Sequence, residues 1–535
     1  MEWDDTLNLV KNTHIHTLDL SSLIWLLTTH YRGPYEPLTW LSWNVDYLLW
    51  GMNPAGYHFI NVLLHSLNAI LFYYVADLLL RFISRSSFVS QQMAGEEETR
   101  VRCASLLAAL FFAIHPLRVE SVAWATERRD VLSGFFFLAS FYCYLAAHAG
   151  GMAHRRERIL SSILLFLLAV LAKATAVGLV WALLAVDLYP FKRWDLKEKI
   201  PYLVIAVVAG EINFMGFQTR DLAGGMYRYW ERILIFLYGS IFYVWKTLWP
   251  ANLSPYYQLP THLITFLKPL AVQGALAVLM SWIFFMNRRR WPGVFVAWAC
   301  YLLMLAPVSG LVQNGQQITA DRYSYLACMP FALVAGQLWW GLKNRWVVLS
   351  GSLLVLIGLG VRTTQQIRIW RDDQTLWRHA IAVTPEGTLP RWNLASFLLS
   401  RGDYTGAEEQ YKALLQMAPQ DLETHLNLGF IYETLGKYAA AHEQYENILR
   451  MDPGNAQAQN NLAGLLLKEG NWKTGRHELE KIVLQHPELA EAQFNLGIAL
   501  MHEGRKEVGR AHLRLALQLN PQFINRIPSS LRKFL

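Results

Sequence analysis

The sequence predicts an all-α chain in two parts: a polytopic membrane helix bundle, then an α-solenoid of paired-helix repeats. Three observations predict it. Apolar runs long enough to span a bilayer fill the first two thirds, short Lys/Arg-rich loops separate them, and Pro, Gly and Asn recur with one period in the last third. Of 535 residues, 53% are apolar and only 16% charged, low for a soluble protein. The 21 Trp and 24 Tyr suit many membrane–water boundaries, where amphipathic rings settle. Much of the +8 charge lies in short loops between apolar runs, which reads as membrane topology and not as a nucleic-acid patch. Cys103, Cys143, Cys300 and Cys328 fall in or beside apolar runs without a CxxC, so neither a disulfide framework nor a zinc site is expected. "MEWDDTLNLVKNTHIH" has no apolar core of a signal peptide.

Residues 1–54 read as an outer loop carrying the acidic pair Asp4 and Asp5. Residues 55–362 read as the bundle, with candidate spans at 55–80, 103–115 with its flank, 130–148, 159–172, 175–190, 200–217, 232–249, 266–286, 292–312, 321–341 and 346–362. The basic loops "AHRRER", "FKRWDLKEK", "NRRR" and "KNR" belong on the cytoplasmic side. That places Asp4, Asp5, the loop 115–130, residues 313–320 and everything after 362 outside. Segment 232–249 breaks the alternation if it crosses, so it is expected to be an interfacial or re-entrant helix on the outer side. Merging 159–190 into one long crossing is the alternative.

Residues 388–521 form four full repeats. Pro385, Pro419, Pro453, Pro487 and Pro521 recur every 34 residues, as do Gly402, Gly436, Gly470 and Gly504. This is the tetratricopeptide period, two antiparallel helices per unit. Residues 372–387 match only the second helix of a repeat, and 522–535 are a C-terminal cap. Asn393, Asn427, Asn461 and Asn495 share one place in each first helix. They would make a ladder along the inner groove able to pair with a peptide backbone. Bonding within the repeat explains them equally well.

Several polar groups sit where lipid should be. His58, Asn61, His65 and Asn68 share one helix face, which reads either as interhelical hydrogen bonding or as a cavity wall. The histidine spacing speaks against metal ligation. The outer segment "HPLRVESVAWATERRD" holds His115, Arg118, Glu120, Glu127, Arg128, Arg129 and Asp130. Its apolar Val119, Val122 and Trp124 imply that part of it folds back onto the bundle. Lys173, Arg322 and the intramembrane Glu211 come to the same side. Carboxylates and cations converging at a bilayer surface suit a lipid-linked substrate. A phosphate leaving group needs Arg or Lys, and an attacking hydroxyl needs a carboxylate to take its proton. Glu120 is a candidate for that work, and His115 a candidate phosphate contact.

With "WDD" (3–5), "YEPLTWLSWNVDYLLWGMNPAGYHFINVLLHSLNA" (35–69), "FFAIHPLRVESVAWATERRDVLSGFFFL" (111–138), "LAKATAVGL" (171–179), "DLYPF" (187–191), "LWPANLSPYY" (248–257) and "DRYSYLACMP" (321–330), followed by the repeats, the chain resembles the transmembrane and tetratricopeptide-repeat O-mannosyltransferases, most of all their bacterial relatives. These belong to the C fold class of glycosyltransferases. The resemblance implies transfer, with inversion, of mannose or another hexose from a polyprenyl phosphate to a hydroxyl of a protein or envelope acceptor. It implies Asp4 or Asp5 as the base, and Arg128, Arg129 and Arg322 as phosphate contacts. It allows, without requiring, a divalent cation such as Mn²⁺ or Mg²⁺. It also implies a bacterial inner membrane with the repeats in the periplasm. In that class a membrane helix precedes the acidic pair, so the expectation is either a start upstream of Met1 or a truncated protein. The competing function is a non-catalytic membrane-anchored scaffold that recruits envelope proteins; a transporter is disfavoured because the spans show no internal repeat.

Overall fold

The computed structural model describes residues 5–31, 33–86, 94–149, 154–218, 227–259, 266–311, 317–340 and 344–526. The chain divides into two compact units, Met1–Pro385 and Glu386–Leu535.

In the first unit the expected outer loop 1–54 is largely helical. It holds α1 (Leu20–Thr28) and α2 (Pro37–Trp50). Asp19 caps α1, its side chain accepting from Ser22 N, and Pro37 opens α2 with a fixed φ. Both helices are short or polar, and α2 buries Asn44 and Asp46, so neither reads as a span from composition. There follow α3 (Pro54–Ser86), α4 (Ala94–Ile114), α5 (Val119–Ala123), α6 (Arg128–Ala149), α7 (Arg155–Ala172), α8 (Leu179–Leu188), α9 (Ile200–Gln218), α10 (Tyr229–Leu248), α11 (Leu267–Met286), α12 (Pro292–Leu305), α13 (Ser324–Ala327), α14 (Met329–Trp340) and α15 (Arg345–Ile369). A two-stranded antiparallel ladder joins Tyr257–Gln258 to Gln317–Thr319.

Each expected apolar segment is helical, but not all are full crossings. Among the described residues five helices are long and apolar enough: Pro54–Ser84, Ala125–Ala149, Lys197–Gly216, Leu267–Met286 and Trp346–Ile369. A sixth counts if Glu96–Ile114 and Pro116–Ala123, bent by 55°, are one broken span. The apolar runs at 175–190, 292–312 and 321–341 fall short because they hold only the shorter helices Ala174–Leu188, Pro292–Val308 and Met329–Leu338, the last cut off from Ser324–Ala327 by a break at Cys328. Helix α10 is not among the five. It touches loops along its length: Ile235 lies against Gly310, Tyr243 Oη bonds the Ala320 backbone, and the Thr247 carbonyl accepts from His115. Glu211 lies exposed on α9.

Helices α6 and α7 pack through small polar residues. Ser140 Oγ donates to the Ser162 carbonyl at 2.6 Å, Ser162 Oγ returns a bond to the Ser140 carbonyl at 2.8 Å, and Ser133 Oγ reaches the Ala169 carbonyl at 3.0 Å. Small side chains let two backbones approach where lipid gives no hydrophobic drive to associate. Near the C-terminal end of α6, Tyr144 Oη donates to Asp187 (2.8 Å), which also accepts from Arg193 (3.0 Å) and the fully buried Lys199 (2.7 Å). Glu198 there pairs with Arg155 at 2.7 Å and Arg193 at 2.6 Å.

The half-repeat helix α16 (Asp373–Val383) follows α15 closely and falls within the first unit; His379 bonds the Leu253 carbonyl at 2.8 Å. The second unit is four helix pairs, α17 (Thr388–Ser400) with α18 (Tyr404–Met417), α19 (Leu422–Thr434) with α20 (Tyr438–Met451), α21 (Ala456–Lys468) with α22 (Trp472–Gln485), and α23 (Ala490–His502) with α24 (Lys506–Leu519). Gly402, Gly436, Gly470 and Gly504 follow each first helix with φ between +71° and +88°, a turn that L side chains resist. That requirement is why glycine recurs there. At Gly429 a Cβ would come within 2.4 Å of the Tyr445 ring, so the missing side chain admits the tyrosine.

Candidate active site

The segment 115–130 is folded, not a solvated loop. It makes a turn at Pro116–Arg118, then α5, a second turn at Ala125–Glu127, and then α6. The Leu117 amide donates to His115 Nδ1, and His115 Nε2 donates to the Thr247 carbonyl at 3.0 Å. His115 therefore fastens the turn to α10 and has no ring nitrogen left for a phosphate. Asp5, 1% exposed, accepts from the amide (2.9 Å) and hydroxyl (2.6 Å) of Thr126, which fixes the turn carrying Glu127. Asp4 lies outside the described residues.

Glu127, fully buried, is the hub of an ion-pair network. It meets Arg129 at 2.6 Å, Lys173 at 3.0 Å and Arg322 at 3.3 Å. Each cation has a second carboxylate: Arg129 has Glu36 at 3.6 Å, Lys173 has Asp130 at 2.6 Å, and Arg322 pairs with Glu120. Glu120 also accepts from the Arg322 amide at 2.8 Å. The parts come from far apart in sequence: the entry to α2, α5, the start of α6, the end of α7 and the turn Asp321–Tyr323. Burial raises the Glu36 pKa above the usual carboxylate range against the pull of Arg129 and Lys173. Burial opposes the Arg322 charge, but Glu120, then Tyr323 and Glu127, outweigh it and raise its pKa. Burial and Glu120 push Asp321 well up; its carboxylate accepts from Tyr257 Oη at 3.0 Å.

Not every expected residue joins this network. Arg128, fully buried, points elsewhere: it pairs with Asp46 at 2.6 Å, donates to the Tyr57 carbonyl at 2.8 Å and bonds Asn61 Oδ1. It is a clamp between α2, α3 and α6, and no phosphate contact. Arg128→Lys is expected to lower stability by about 1–3 kcal/mol, since one ammonium cannot reproduce the planar fork. Thermal unfolding in detergent measures this; an unchanged midpoint would show that the fork geometry is dispensable.

The stripe on α3 forms interhelical bonds, not a cavity wall. Asn61 Nδ2 donates to the carbonyls of Val122 (3.1 Å) and Trp124 (3.2 Å), and His58 meets the Ala123 backbone. His65 bonds the Ala113 carbonyl (2.9 Å) and Tyr325 Oη (2.8 Å), and Asn68 joins the same hydroxyl at 2.8 Å. In the repeats the four asparagines are half-buried. Asn495 Nδ2 donates to Asn460 Oδ1 at 3.0 Å, and Asn460 bonds Asn461 at 3.2 Å, so part of the row is satisfied within the solenoid.

A polar pocket opens beside the network, lined by Asp130, Lys173, Thr175, Arg322, Tyr323 and Tyr325 among others. It holds about 30 Å³, room for one or two waters. Met304 and Leu326 line it too, and both also line an apolar slot of about 120 Å³ between α3, α6, α8, α12 and α14. Glu36, Glu127 and Asp130 were not singled out from sequence as site residues. The signal for the latter two was the charge density of 115–130, and for Glu36 the lone carboxylate before Pro37. A divalent cation does not fit the network as it stands: Glu36, Glu120, Glu127 and Asp130 each face an Arg or Lys, and among the described residues no group of three or more His, Cys, Asp or Glu could hold a metal.

Apolar helices with a charged pocket, joined to paired-helix repeats, define a multi-helix membrane protein with a tetratricopeptide solenoid. Tetratricopeptide-repeat family models match residues 398–446, 434–493, 374–421 and 465–522. The chain is related in sequence to the transmembrane and tetratricopeptide-repeat protein O-mannosyl-transferases. It is 24% identical to Tmtc1 of Drosophila melanogaster, over 75% of this chain and 56% of that one, and 24% identical to TMTC4 of Homo sapiens, over 70% and 57%. A shorter stretch of 111 residues is 37% identical to tmtc2 of Xenopus laevis, covering 21% of this chain and 11% of that one. The chain spans about half the length of the curated relatives it matches. Among solved structures, a MamA protein aligns with 28% of this chain and 84% of its own at 17% identity and a TM-score of 0.25. YrrB, a tetratricopeptide protein with an unusual peptide-binding site, aligns with 28% and 78% at 14% identity and a TM-score of 0.24. Scores so low decide nothing.

Proposed function

We propose that the chain is a membrane glycosyltransferase that moves mannose or another hexose, with inversion, from a polyprenyl-phosphate carrier to a hydroxyl of a protein or envelope acceptor offered by the repeats. The observation that carries this reading is the meeting of the polar pocket and the apolar slot at Met304 and Leu326. A ligand that fills both has an anionic head and a long apolar tail. The kinship with protein O-mannosyl-transferases supports a sugar as the group moved and protein as its destination. Lys173 and Arg322 line the pocket as cations for the leaving phosphate. The resemblance offers Asp4 or Asp5 to the acceptor hydroxyl, and the charged outer segment offers Glu120. The Lys/Arg loop bias puts the pocket and the repeats outside the cytoplasm, the periplasm if the membrane is a bacterial inner one. The tetratricopeptide repeats support a polypeptide acceptor at the repeat groove.

The test is reconstitution of the full chain in vesicles with polyprenyl-phosphate mannose, other polyprenyl-phosphate hexoses and a Ser/Thr-rich acceptor polypeptide. The expected result is sugar on a hydroxyl and free polyprenyl phosphate in equal amounts. A chain that binds envelope polypeptides yet transfers none of these sugars would be the scaffold instead.

A further inference from the structure

We propose that Asp130, on the first turn of α6, is the general base of the transfer, armed by the donor itself; this rests on the glycosyltransferase reading above. Asp130 is the single carboxylate among the described residues lining the polar pocket. Glu127 and Glu120, 0% and 2% exposed, do not line it, and Asp5 is occupied by the Thr126 amide and hydroxyl. One oxygen of Asp130 accepts from Lys173 at 2.6 Å and the other from Ser121 Oγ at 3.1 Å. An ionised carboxylate has about four acceptor sites, so room remains for an incoming hydroxyl.

The pocket is too small for a sugar phosphate while Asp130 and Lys173 hold each other. Entry of the phosphate therefore exchanges partners, and Lys173 turns from Asp130 to the phosphate oxygens. Asp130 then loses its nearest cation beside a new anion, which strengthens it as a proton acceptor. The network's charge count points the same way. Its ion pairs join four carboxylates, Glu36, Glu120, Glu127 and Asp130, to three cations, Arg129, Lys173 and Arg322. With a phosphate present, the cluster gains most from neutralising one carboxylate, and Asp130 is the one in reach.

The step balances. The acceptor oxygen bonds to the anomeric carbon as that carbon's bond to the phosphate oxygen breaks. The bonding pair leaves with the polyprenyl phosphate, and the hydroxyl proton passes to Asp130. Lys173 and Arg322 meet the charge that grows on the leaving group.

The experiment uses the full chain in vesicles and compares Asp130→Asn, Asp130→Glu and Asp5→Asn for transfer rate, for the KM of the polyprenyl-phosphate donor and for thermal midpoint. Asp130→Asn should lower kcat by about 100-fold or more, the scale of a lost general base, without raising the donor KM. Asp130→Glu should recover part of the rate. Asn at 130 within a few-fold of the parent, with Asp5→Asn inactive, overturns the inference and leaves the glycosyltransferase reading standing. A donor KM that rises as transfer falls, with no recovery by Glu, also overturns it, because Asp130 would then only hold Lys173. A parent chain inert toward every donor overturns both.

Discussion

Glu127→Ala is expected to destabilise the bundle by about 3–5 kcal/mol, the scale on which one partner of a buried ion pair is lost. The methyl group leaves Arg129, Lys173 and Arg322 facing one another around a site with no exposure to water. Their remaining carboxylates, Glu36, Asp130 and Glu120, keep the loss from tripling. Glu127→Gln should fall between parent and Ala, because an amide keeps the shape and one acceptor oxygen but not the charge. Thermal unfolding in detergent, followed by tryptophan fluorescence, gives the ordering. A shift worth less than about 1 kcal/mol, the level of an exposed pair, would mean that the hub is wet and the network incidental.

Lys173→Met is expected to cut transfer by about 100- to 1,000-fold while the fold survives, the usual cost of removing one group that meets developing negative charge. Met keeps the apolar stem of Lys, and Glu127 retains Arg129 and Arg322. Burial works against the Lys173 ammonium, but Asp130 and Glu127 outweigh it and raise its pKa, so the residue stays charged through the neutral range. The donor KM should rise as well, since the same ammonium holds the ground-state phosphate. Assay in vesicles with saturating acceptor separates the two effects. Transfer undiminished in a well-folded Met variant would move the phosphate away from this pocket.

The helices were legible in the sequence because apolar length and the 34-residue period are local signals. Two features misled. Residues 1–54 looked like a loop because α2 buries its polar face, Asn44 and Asp46, against protein, a pattern that composition cannot tell from a solvated segment. The run 321–341 looked like a full crossing because the one-residue break at Cys328 barely changes mean hydropathy. At the site, the charges of 115–130 were visible, but which of them pair was not. Arg128 and Arg129 are neighbours in sequence, yet a helix turns about 100° between them. One faces Asp46 and Asn61, and the other faces Glu127. His58, Asn61 and His65 shared a face as predicted from spacing; that their partners are backbone carbonyls and Tyr325 depended on chain segments far away.

Helix α6 carries a polar cluster near each end: Arg128 and Asp130 at its start, and Tyr144 sixteen residues beyond Arg128, about 24 Å along the axis. Two fixed points on one rod act as a vernier. Sliding α6 by one turn, about 5.4 Å, against α7 and α8 would break the Lys173 pair and the Asp187 bond together, where lipid supplies nothing to replace either. The register of three helices is thereby locked twice over. Admission of a substrate is left to side chains, such as Lys173 changing partner, while any movement of whole helices has to come from elements outside that frame.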